Sequence, residues 1–216
     1  RRRGHGTMAN PCSVLLLRPH MPPTDARIAK MRSIAKLRTR HYTFVLEELN
    51  DPHNISAVLR TCECFGIQEV HVIEELRPFR VSRPIVKGAD QWLDIVRWTS
   101  RQACLEHLRS RGFGIAVASS KADKSFHACD LGQKLAIYMG TEFAGNSEHI
   151  YRNADMVFKL PQHGFTESLN VSVCAGMMIA HLDRHMDVAG REKFTMTESE
   201  VDDLVGRWCV AHDMQD

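Results

Sequence analysis

The chain has 216 residues and a net charge of +2 at pH 7, with 44% hydrophobic and 25% charged residues. These values are typical of one globular domain with a sizeable core and terminal additions. The sequence also excludes a membrane-spanning helix, because none of its apolar runs approaches the ~18 residues that such a helix needs. Residues 13–17 are too short an apolar run for a secretory signal.

The cysteine content bears on the compartment and on metal binding. Seven cysteines are present, an odd number without any C-x-x-C pair. This pattern argues against a disulfide framework and against a zinc site. No metal ion is therefore expected, and a reducing compartment is predicted, with the cytoplasm as the default.

Charge is distributed unevenly along the chain. Residues 1–42 carry a net charge of +9, whereas the remaining residues carry −7. Thr24 and Asp25 favour a helix start, and apolar residues recur at helical spacing after them. A helix whose charge is of one sign predicts contact with a polyanion such as RNA. The alternative is a solvated amphipathic helix that packs on the body of the protein.

Strands and helices alternate through the middle of the chain. Apolar and β-branched runs predict strands at residues 42–49, 69–73, 92–98, 114–120, 134–139 and 156–158. Amphipathic periodicity predicts helices at residues 54–64, with Asn54 as the N-cap, and at 100–111. Residues 76–90 are interpreted as a basic loop, and a capping box at Thr197–Glu200 begins a C-terminal helix. The alternation predicts an α/β fold with a mainly parallel sheet flanked by helices.

Three junctions between strands, loops and helices carry polar residues and glycines. They are Asn54-Ile-Ser-Ala-Val-Leu-Arg60 with Gly66 after it, Gly140-Thr-Glu-Phe-Ala-Gly145, and Gly164-x-x-x-Ser168-Leu169-Asn170 before an apolar helix predicted to be buried on all sides. Glycine lets the backbone approach a ligand closely, and a helix N-terminus presents free N–H groups to a polar ligand. Each pattern alone is also compatible with an ordinary turn or helix cap, with Ser168 as the cap in the third.

Taken in order, the three patterns resemble the motifs of the SpoU (TrmH-type) RNA 2′-O-ribose methyltransferases. The basic first helix and the C-terminal helix are most similar to the TrmH branch, which methylates a D-loop guanosine of tRNA. The resemblance implies a deep C-terminal trefoil knot, which periodicity would not suggest. It also implies a homodimer, to which Met177, Met178 and Ile179 would contribute apolar surface. The expected organisation is an N-terminal lead (1–23), a SpoU-type domain with its basic helix (24–190) and a helical extension (191–216).

The reaction implied by this resemblance is methyl transfer from S-adenosylmethionine to a ribose 2′-OH. That hydroxyl is a poor nucleophile and has to be activated. The resemblance gives this role to Arg60, either as the activating group or as a cation that stabilises the developing alkoxide beside a phosphate. Asn54, Ser168 and Asn170 would position ribose and phosphate, and Glu142 would order the pocket loop.

The resemblance also implies sites for the methyl donor and for RNA. Expected donor contacts are Ser119, Gly140, Thr141, Glu142, Gly145, Leu160, Gln162, Ser168 and Leu169. Where the family often has Ile-Pro-Met, this chain has Leu160-Pro161-Gln162, and the amide is expected to affect donor affinity. Expected RNA contacts are Arg27, Lys30, Arg38, His53 and Arg184.

Other functions are compatible with the same residues. The substrate could be ribosomal RNA, although the large separate RNA-binding domain of some such enzymes is not expected here. A non-catalytic RNA-binding protein is the alternative from another class, and the joint presence of Arg60, Asn54, Ser168 and Asn170 argues against it. His181 lies four residues before His185 but lacks a third ligand, so both are predicted to be surface residues.

Overall fold

A parallel sheet forms the centre of the computed structural model, which describes residues 22–166 and 168–213. Within those residues the sheet has six strands: β1 (Tyr42–Glu47), β2 (Glu69–Ile73), β3 (Asp94–Trp98), β4 (Gly114–Ala118), β5 (Leu135–Met139) and β6 (Met156–Phe158). Their order is β3-β2-β1-β5-β4-β6, and each neighbouring pair is parallel. The predicted α/β fold with a mainly parallel sheet is confirmed.

Helices cover both faces of the sheet. In the described part of the chain they are α1 (Asp25–Ala35), α2 (Pro52–Cys64), α3 (Arg83–Val86), α4 (Arg101–Ser110), α5 (Glu148–Arg152), α6 (Val171–Ala189) and α7 (Glu198–Asp213). One face packs against α2 and α6, in a core that includes Phe44 and Ile179. The other face packs against α4 and α5, through Leu108 and Ile150. Burial on both faces explains why β5 is a continuous apolar run and why β1 is mostly apolar. In β2, Glu69 and His71 are buried as well.

The first and last helices, α1 and α7, form a pair of their own. Met31 and Ala35 of α1 are buried together with Trp208 of α7. The predicted capping box is present at the start of α7, where the Thr197 N–H donates to the Glu200 carboxylate at 2.8 Å. In return, the Glu200 N–H donates to Oγ1 of Thr197 at 3.3 Å. The basic N-terminal helix is therefore held on the body by the C-terminal extension.

Helix α2 begins earlier than predicted. Its N-cap is Asp51, whose side chain accepts a hydrogen bond from the backbone N–H of His53 at 2.9 Å. Pro52 occupies the first turn, where the N–H that proline lacks is not needed. Asn54 therefore lies inside the helix and is not its cap, which leaves its side chain free for other contacts. The predicted loop at residues 76–90 also contains a short helix, α3.

Helix α6 is capped by Asn170 rather than by Ser168. Oδ1 of Asn170 accepts a hydrogen bond from the backbone N–H of Ser172 at 2.9 Å. Within a single chain this helix is not buried on every side, because Val173 is 49% and Met177 is 45% exposed. The two side chains are four residues apart, so α6 turns an apolar stripe to the outside.

Some expectations about organisation are not decided by the strand order. The knot concerns the path of the chain through a loop, so it stays a prediction. The N-terminal lead, residues 1–23, lies almost wholly outside the described residues. No helix in the described ranges has the length and apolar character required to cross a bilayer.

Charged side chains meet at the start of β2, at the sheet edge opposite the strand carboxyl ends. Glu69 is 4% exposed, and its carboxylate accepts hydrogen bonds from His71 at 2.8 Å, Arg40 at 3.0 Å and Arg111. Burial alone would raise the pKa of Glu69, but the hydrogen bonds from His71 and Arg111 outweigh it and lower the pKa to about 2. The ionised carboxylate therefore stabilises the folded state.

This cluster predicts a stability that depends on pH. We expect Glu69→Gln to lower the free energy of unfolding at neutral pH by on the order of 3 kcal/mol, because Arg40 and Arg111 lose their anion. The folded-state pKa lies below the ordinary 4.5, so the stabilisation is present above that pH and is lost as the pH falls through about 2. Urea unfolding of both proteins across this range checks the prediction. A difference that does not change with pH would show that Glu69 acts through packing rather than charge.

Candidate active site

A cavity of about 450 Å³ lies beyond the carboxyl ends of three neighbouring strands, β4, β5 and β6. Ala118, Met139 and Phe158, the last residues of these strands, all line it. Ligands of open parallel α/β sheets bind at this edge, and the volume lies within the range of ~300–1,000 Å³ common for small-molecule sites. The position and the size of the cavity are those of a ligand site.

The residues predicted to contact the methyl donor come together around this cavity. All of them line it: Ser119, Gly140, Thr141, Glu142, Gly145, Leu160, Gln162, Ser168 and Leu169. They belong to the loops that follow β4, β5 and β6. Leu160 is buried, whereas Gln162 and Ser168 are exposed. The second and third sequence motifs therefore form the walls of one cavity.

The loop after β5 brings bare backbone to the cavity wall. The Thr141 N–H donates to the Gly145 carbonyl at 3.0 Å, and the Gly145 N–H donates back to the Thr141 carbonyl at 2.9 Å. Gly145 has a φ of +68°, in the left-handed region that favours glycine. A Cβ on Gly140 would lie 2.1 Å from the carbonyl carbon of Gly145. The loop closes this tightly because Gly140 has no side chain.

Asn54, Glu142 and Asn170, one from each motif, are joined by hydrogen bonds. Oδ1 of Asn170 accepts from N–H groups of the first turn of α6, so its Nδ2 faces the other two residues. This Nδ2 donates to Oδ1 of Asn54 at 3.0 Å and to Oε1 of Glu142 at 3.4 Å. Nδ2 of Asn54 donates to the same Glu142 oxygen at 2.7 Å. The helix cap thus fixes the orientation of both amides.

Arg60 lies on the same helix as Asn54 but apart from this network. It is exposed, off the apolar stripe of α2, and it does not line the cavity. Across residues 22–166 and 168–213, its guanidinium has no hydrogen bond or ion pair. The structure therefore joins Asn54, Glu142 and Asn170, adds Ser168 at the cavity wall, and leaves Arg60 open to solvent.

The residues predicted to contact RNA differ in their exposure. Four are exposed: Arg27, Lys30, His53 and Arg184. The expectation that Arg38 belongs to the exposed basic surface is wrong, because this side chain is 1% exposed and lines a second cavity instead. Its guanidinium donates to the Glu63 carboxylate at 3.4 Å and to the Ile67 carbonyl at 3.5 Å. Burial lowers the pKa of Arg38, and Glu63 opposes that shift.

Helix α7 neutralises part of the positive charge of α1. Arg32 pairs with Asp202 at 2.5 Å, and Lys36 pairs with Glu198 at 2.9 Å. These partners lie far away in the sequence, so the charge pattern of α1 alone overstates what the helix presents to a polyanion. The charge that remains for an outside partner is concentrated in its N-terminal half.

Several cavity residues were not singled out from the sequence. Val171, Cys174 and Met178 line the cavity from α6, and their i, i+3, i+7 spacing on one helix face was the available signal. Burial raises the pKa of the Cys174 thiol, so it presents a neutral, soft group. Lys121 and Lys159 also line the cavity; the signal for both was their position beside a strand end.

His181 and His185 are not simple surface residues. The ring of His181 lies 4.7 Å from the His127 ring and 5.4 Å from the Phe126 ring. Burial lowers the pKa of His181, and the neighbouring histidines lower it further. In the part of the chain that the structure describes, no group of three or more His, Cys, Asp or Glu side chains is arranged to hold a metal ion.

The parallel sheet and the cavity at its carboxyl edge define an α/β protein with a small-molecule site, walled by glycine backbone and a helix N-terminus. The chain belongs to the SpoU rRNA methylase family, whose sequence model matches residues 41–180. The predicted resemblance to SpoU-type methyltransferases is confirmed. The matched segment leaves out both α1 and α7.

Relatives and solved structures agree with this assignment. A tRNA (guanosine(18)-2′-O)-methyltransferase from Borreliella burgdorferi is 35% identical over 161 residues, covering 74% of this chain and 73% of the relative. The enzyme of the same name from Escherichia coli K12 is 28% identical over 185 residues, covering 83% and 80%. The TrmH/SpoU tRNA modifying enzyme of A. aeolicus shares the fold with a TM-score of 0.79 at 23% identity, covering 86% of this chain and 95% of that one. A SpoU methyltransferase from Streptomyces viridochromogenes, solved with AdoMet, has a TM-score of 0.64 at 18% identity, covering 73% and 65%.

Proposed function

We propose that this protein is an S-adenosylmethionine-dependent RNA 2′-O-methyltransferase that modifies a guanosine of tRNA. The observation that carries the proposal is the meeting of Asn54, Glu142 and Asn170 beside a cavity lined by the second and third motifs. Membership of the SpoU family supports the reaction. The names of the relatives, tRNA (guanosine(18)-2′-O)-methyltransferases, support tRNA as the substrate.

The cavity walls fit S-adenosylmethionine. Gly140 and Gly145 line the cavity as bare backbone that would let the donor approach closely, while Leu160 and Leu169 supply apolar surface. Glycine permits this close approach of backbone to ligand. When bound, S-adenosylmethionine supplies a methyl group made electrophilic by its sulfonium.

The residues of the chain act on the ribose. The 2′-oxygen takes the methyl group, its proton passes to solvent water, and the donor is left as a neutral thioether. Negative charge develops on that oxygen while the proton is being lost. Arginine stays protonated in proteins, so Arg60 stabilises this charge beside a phosphate rather than removing the proton. The amides of Asn54 and Asn170 are already oriented by hydrogen bonds. Together with the Ser168 hydroxyl they hold the ribose and its phosphate, and groups fixed in advance need no reorganisation during reaction.

Methyl transfer to different RNAs tests this proposal. With labelled S-adenosylmethionine, tRNA transcripts should accept the methyl group, and nuclease digestion should release 2′-O-methylguanosine. Ribosomal RNA fragments of similar length serve as the comparison. A preference for them would contradict the tRNA assignment. Donor binding without transfer to any RNA would instead favour the non-catalytic RNA-binding protein.

The RNA contacts are part of this proposal. Four exposed side chains carry N–H donors: Arg27, Lys30, His53 and Arg184. Contacts between such groups and phosphates position a nucleic acid. His53 precedes Asn54 in the first turn of α2, which supports an RNA contact near the proposed ribose site. Since α1 buries apolar residues against α7, deleting the helix would expose the core, and single substitutions are the cleaner test.

A homodimer is also proposed. The exposed stripe of α6, Val173 and Met177, follows a loop in which Phe165 is fully exposed. Exposed apolar side chains of this kind mark a candidate protein interface. Of the three residues expected to supply this surface, Met178 and Ile179 are fully buried within one chain. Only Met177 is therefore available to a partner.

Sedimentation equilibrium tests the dimer at micromolar concentration. The wild-type protein should sediment as a dimer, and Met177→Glu should shift it towards the monomer because a carboxylate is buried without a partner. Val188→Glu is the matched control, since Val188 lies on the same helix and is 73% exposed. A monomeric wild-type protein would contradict the proposal, and so would equal effects of both substitutions.

The proposal also covers the domain boundaries of the chain and its cellular compartment. The family match at 41–180 lies inside the proposed methyltransferase domain, residues 24–190. The helical extension, 191–216, then serves to hold α1 through α7. A cytoplasmic location is supported by the cysteine content, an odd number without a C-x-x-C pair.

A further inference from the structure

A second cavity, of about 260 Å³, lies between α1, α7 and the C-terminal end of α2. Its polar and aromatic walls are Arg27, Lys30, Arg38, Glu63, Trp92 and Trp208. None of these residues lines the cavity proposed for the methyl donor. The volume lies just below the ~300–1,000 Å³ range of small-molecule sites, which suits one flat ring system.

Arg38 places an unused hydrogen-bond donor in this wall. The side chain is 1% exposed, and its terminal nitrogens donate to Glu63 and to the Ile67 carbonyl. Its Nε is buried and has no partner among the residues that the structure describes. An unpaired buried N–H is costly, and each such group calls for an explanation. A ligand atom that accepts a hydrogen bond would satisfy it once the Arg38 side chain turns this N–H towards the cavity.

Glu63 places an acceptor beside this donor. Oε1 of Glu63 accepts the hydrogen bond from Arg38 at 3.4 Å, which leaves the other carboxylate oxygen outside that contact. The side chain of Glu63 is 26% exposed, so a ligand can reach it. The cavity therefore presents an N–H donor next to a carboxylate acceptor.

Trp92 gives the cavity a flat apolar surface, whereas Trp208 is 4% exposed and lies under the Arg38 guanidinium, 5.5 Å from its ring centroid. Trp92 and Trp208 stand edge to face, with centroids 5.4 Å apart and an interplanar angle of 89°. The guanidinium of Arg27 lies 5.7 Å from the centroid of Trp92. Arg27 is exposed, so its side chain can rotate and uncover that ring face. Aromatic rings and guanidinium planes are the surfaces on which unpaired bases stack in RNA-binding proteins.

We propose that this cavity holds one unstacked guanine of the RNA substrate, away from the reacting ribose. The inference rests on the proposed function. Guanine carries its O6 acceptor beside N1–H and N2–H donors, which complements the Nε–H of Arg38 beside the carboxylate of Glu63. Adenine would turn its amino group towards Arg38, donor against donor. The positive charges of Arg27 and Lys30 attract the phosphate of the same nucleotide.

Binding of mononucleotides tests the base site directly. Guanosine and adenosine monophosphate are titrated into the full-length protein saturated with S-adenosylhomocysteine, which closes the donor cavity to both, and binding is followed by calorimetry. We expect guanosine monophosphate to bind about tenfold more tightly than adenosine monophosphate. Glu63→Gln should remove this preference, and Trp92→Leu should weaken guanosine monophosphate about tenfold.

Steady-state methyl transfer to tRNA connects the site to the substrate. Lys30→Ala and Trp92→Leu should raise KM for tRNA about tenfold at unchanged kcat, because they lose RNA binding remote from the chemistry. Lys36→Ala is the matched control: it removes the same charge from the end of α1, at a residue that pairs with Glu198 and does not line the cavity. Its KM should stay close to that of the wild type. Thermal unfolding identifies any variant that fails to fold, and Lys30→Ala, at an exposed position, then carries the test.

The outcomes separate this inference from the proposed function. If the wild type methylates tRNA but binds both mononucleotides equally or not at all, the guanine site is wrong and the proposed function stands. Equal KM values for Lys30→Ala and Lys36→Ala would also overturn it. If guanosine monophosphate binds selectively and the wild type methylates no RNA, the base site stands and the proposed function fails.

Discussion

Replacing Arg60 with alanine should nearly abolish methyl transfer while leaving the binding of S-adenosylmethionine intact. Arg60 is exposed, and it does not line the cavity that is proposed to hold the donor. Substitutions at such surface positions usually change stability by less than ~0.5 kcal/mol. The reacting 2′-oxygen, however, loses the group that stabilises its charge, and losses of this kind typically cost ~10²–10⁴-fold in rate.

Two further variants sharpen the test at Arg60. Arg60→Lys should also fail, because an ammonium cannot replace the planar fork that holds a phosphate and the hydroxyl together. Arg152→Ala is the control, since its side chain is 74% exposed and pairs only with Glu148 of the same helix. Calorimetric donor binding is measured beside transfer to unmodified tRNA. Transfer by Arg60→Ala at close to the wild-type rate would refute the catalytic assignment, and loss of donor binding would make Arg60 a pocket residue.

Replacing Gly140 with alanine should remove the binding of S-adenosylmethionine, which the Arg60 variants are expected to retain. The new Cβ would lie 2.1 Å from the carbonyl group of Gly145, which is backbone and cannot rotate away. The loop would have to open, and its paired hydrogen bonds between Thr141 and Gly145 would be lost. A displacement of about 1 Å in a binding site can cost ~10²-fold, so we expect donor affinity to fall by at least this factor.

Gly206→Ala is the matched control for this prediction. Gly206 lies in α7, outside all three motifs, and a Cβ there would meet nothing within 4 Å. Calorimetric titration with S-adenosylmethionine should therefore give the wild-type affinity for Gly206→Ala and none that is measurable for Gly140→Ala. Similar affinities for the two variants would show that the tight loop does not shape the donor site.

The convergence of the three motifs could be anticipated from the sequence. Each motif follows a strand or precedes a helix, and the carboxyl ends of parallel strands meet at one edge of the sheet. The loops carrying Gly140 and Leu160 therefore had to lie close together once the strands were recognised. Asn54 was also identified, both as a helix cap, which is wrong, and by resemblance as a residue that positions the ribose and its phosphate. Asn54 can join the network with Glu142 because the N-cap of α2 is Asp51. The sequence offers several polar residues that could cap this helix, so it does not show which of them does.

The sequence pattern could not predict the contacts between segments that lie far apart in the chain. The positive charge of α1 was counted as free, whereas Asp202 and Glu198 of α7 neutralise part of it. Arg38 was counted with that charge, yet it lies in the interior against Glu63. A helix shows its charge and its apolar spacing, but not which face a later segment will cover. The sequence of α6 is apolar on all sides, so it could not show which of its apolar residues a single chain leaves exposed.

The ribose 2′-oxygen is the proposed acceptor of the methyl group, and a transcript that lacks this oxygen tests the proposed function most directly. A tRNA transcript is prepared with a single 2′-deoxyguanosine at position 18, the position in the names of the relatives, and compared with the unmodified transcript in the presence of labelled S-adenosylmethionine. The account predicts one methyl group per unmodified transcript and none on the deoxy-substituted one, with both transcripts binding the protein. Equal methylation of the two transcripts would contradict transfer to that ribose 2′-OH.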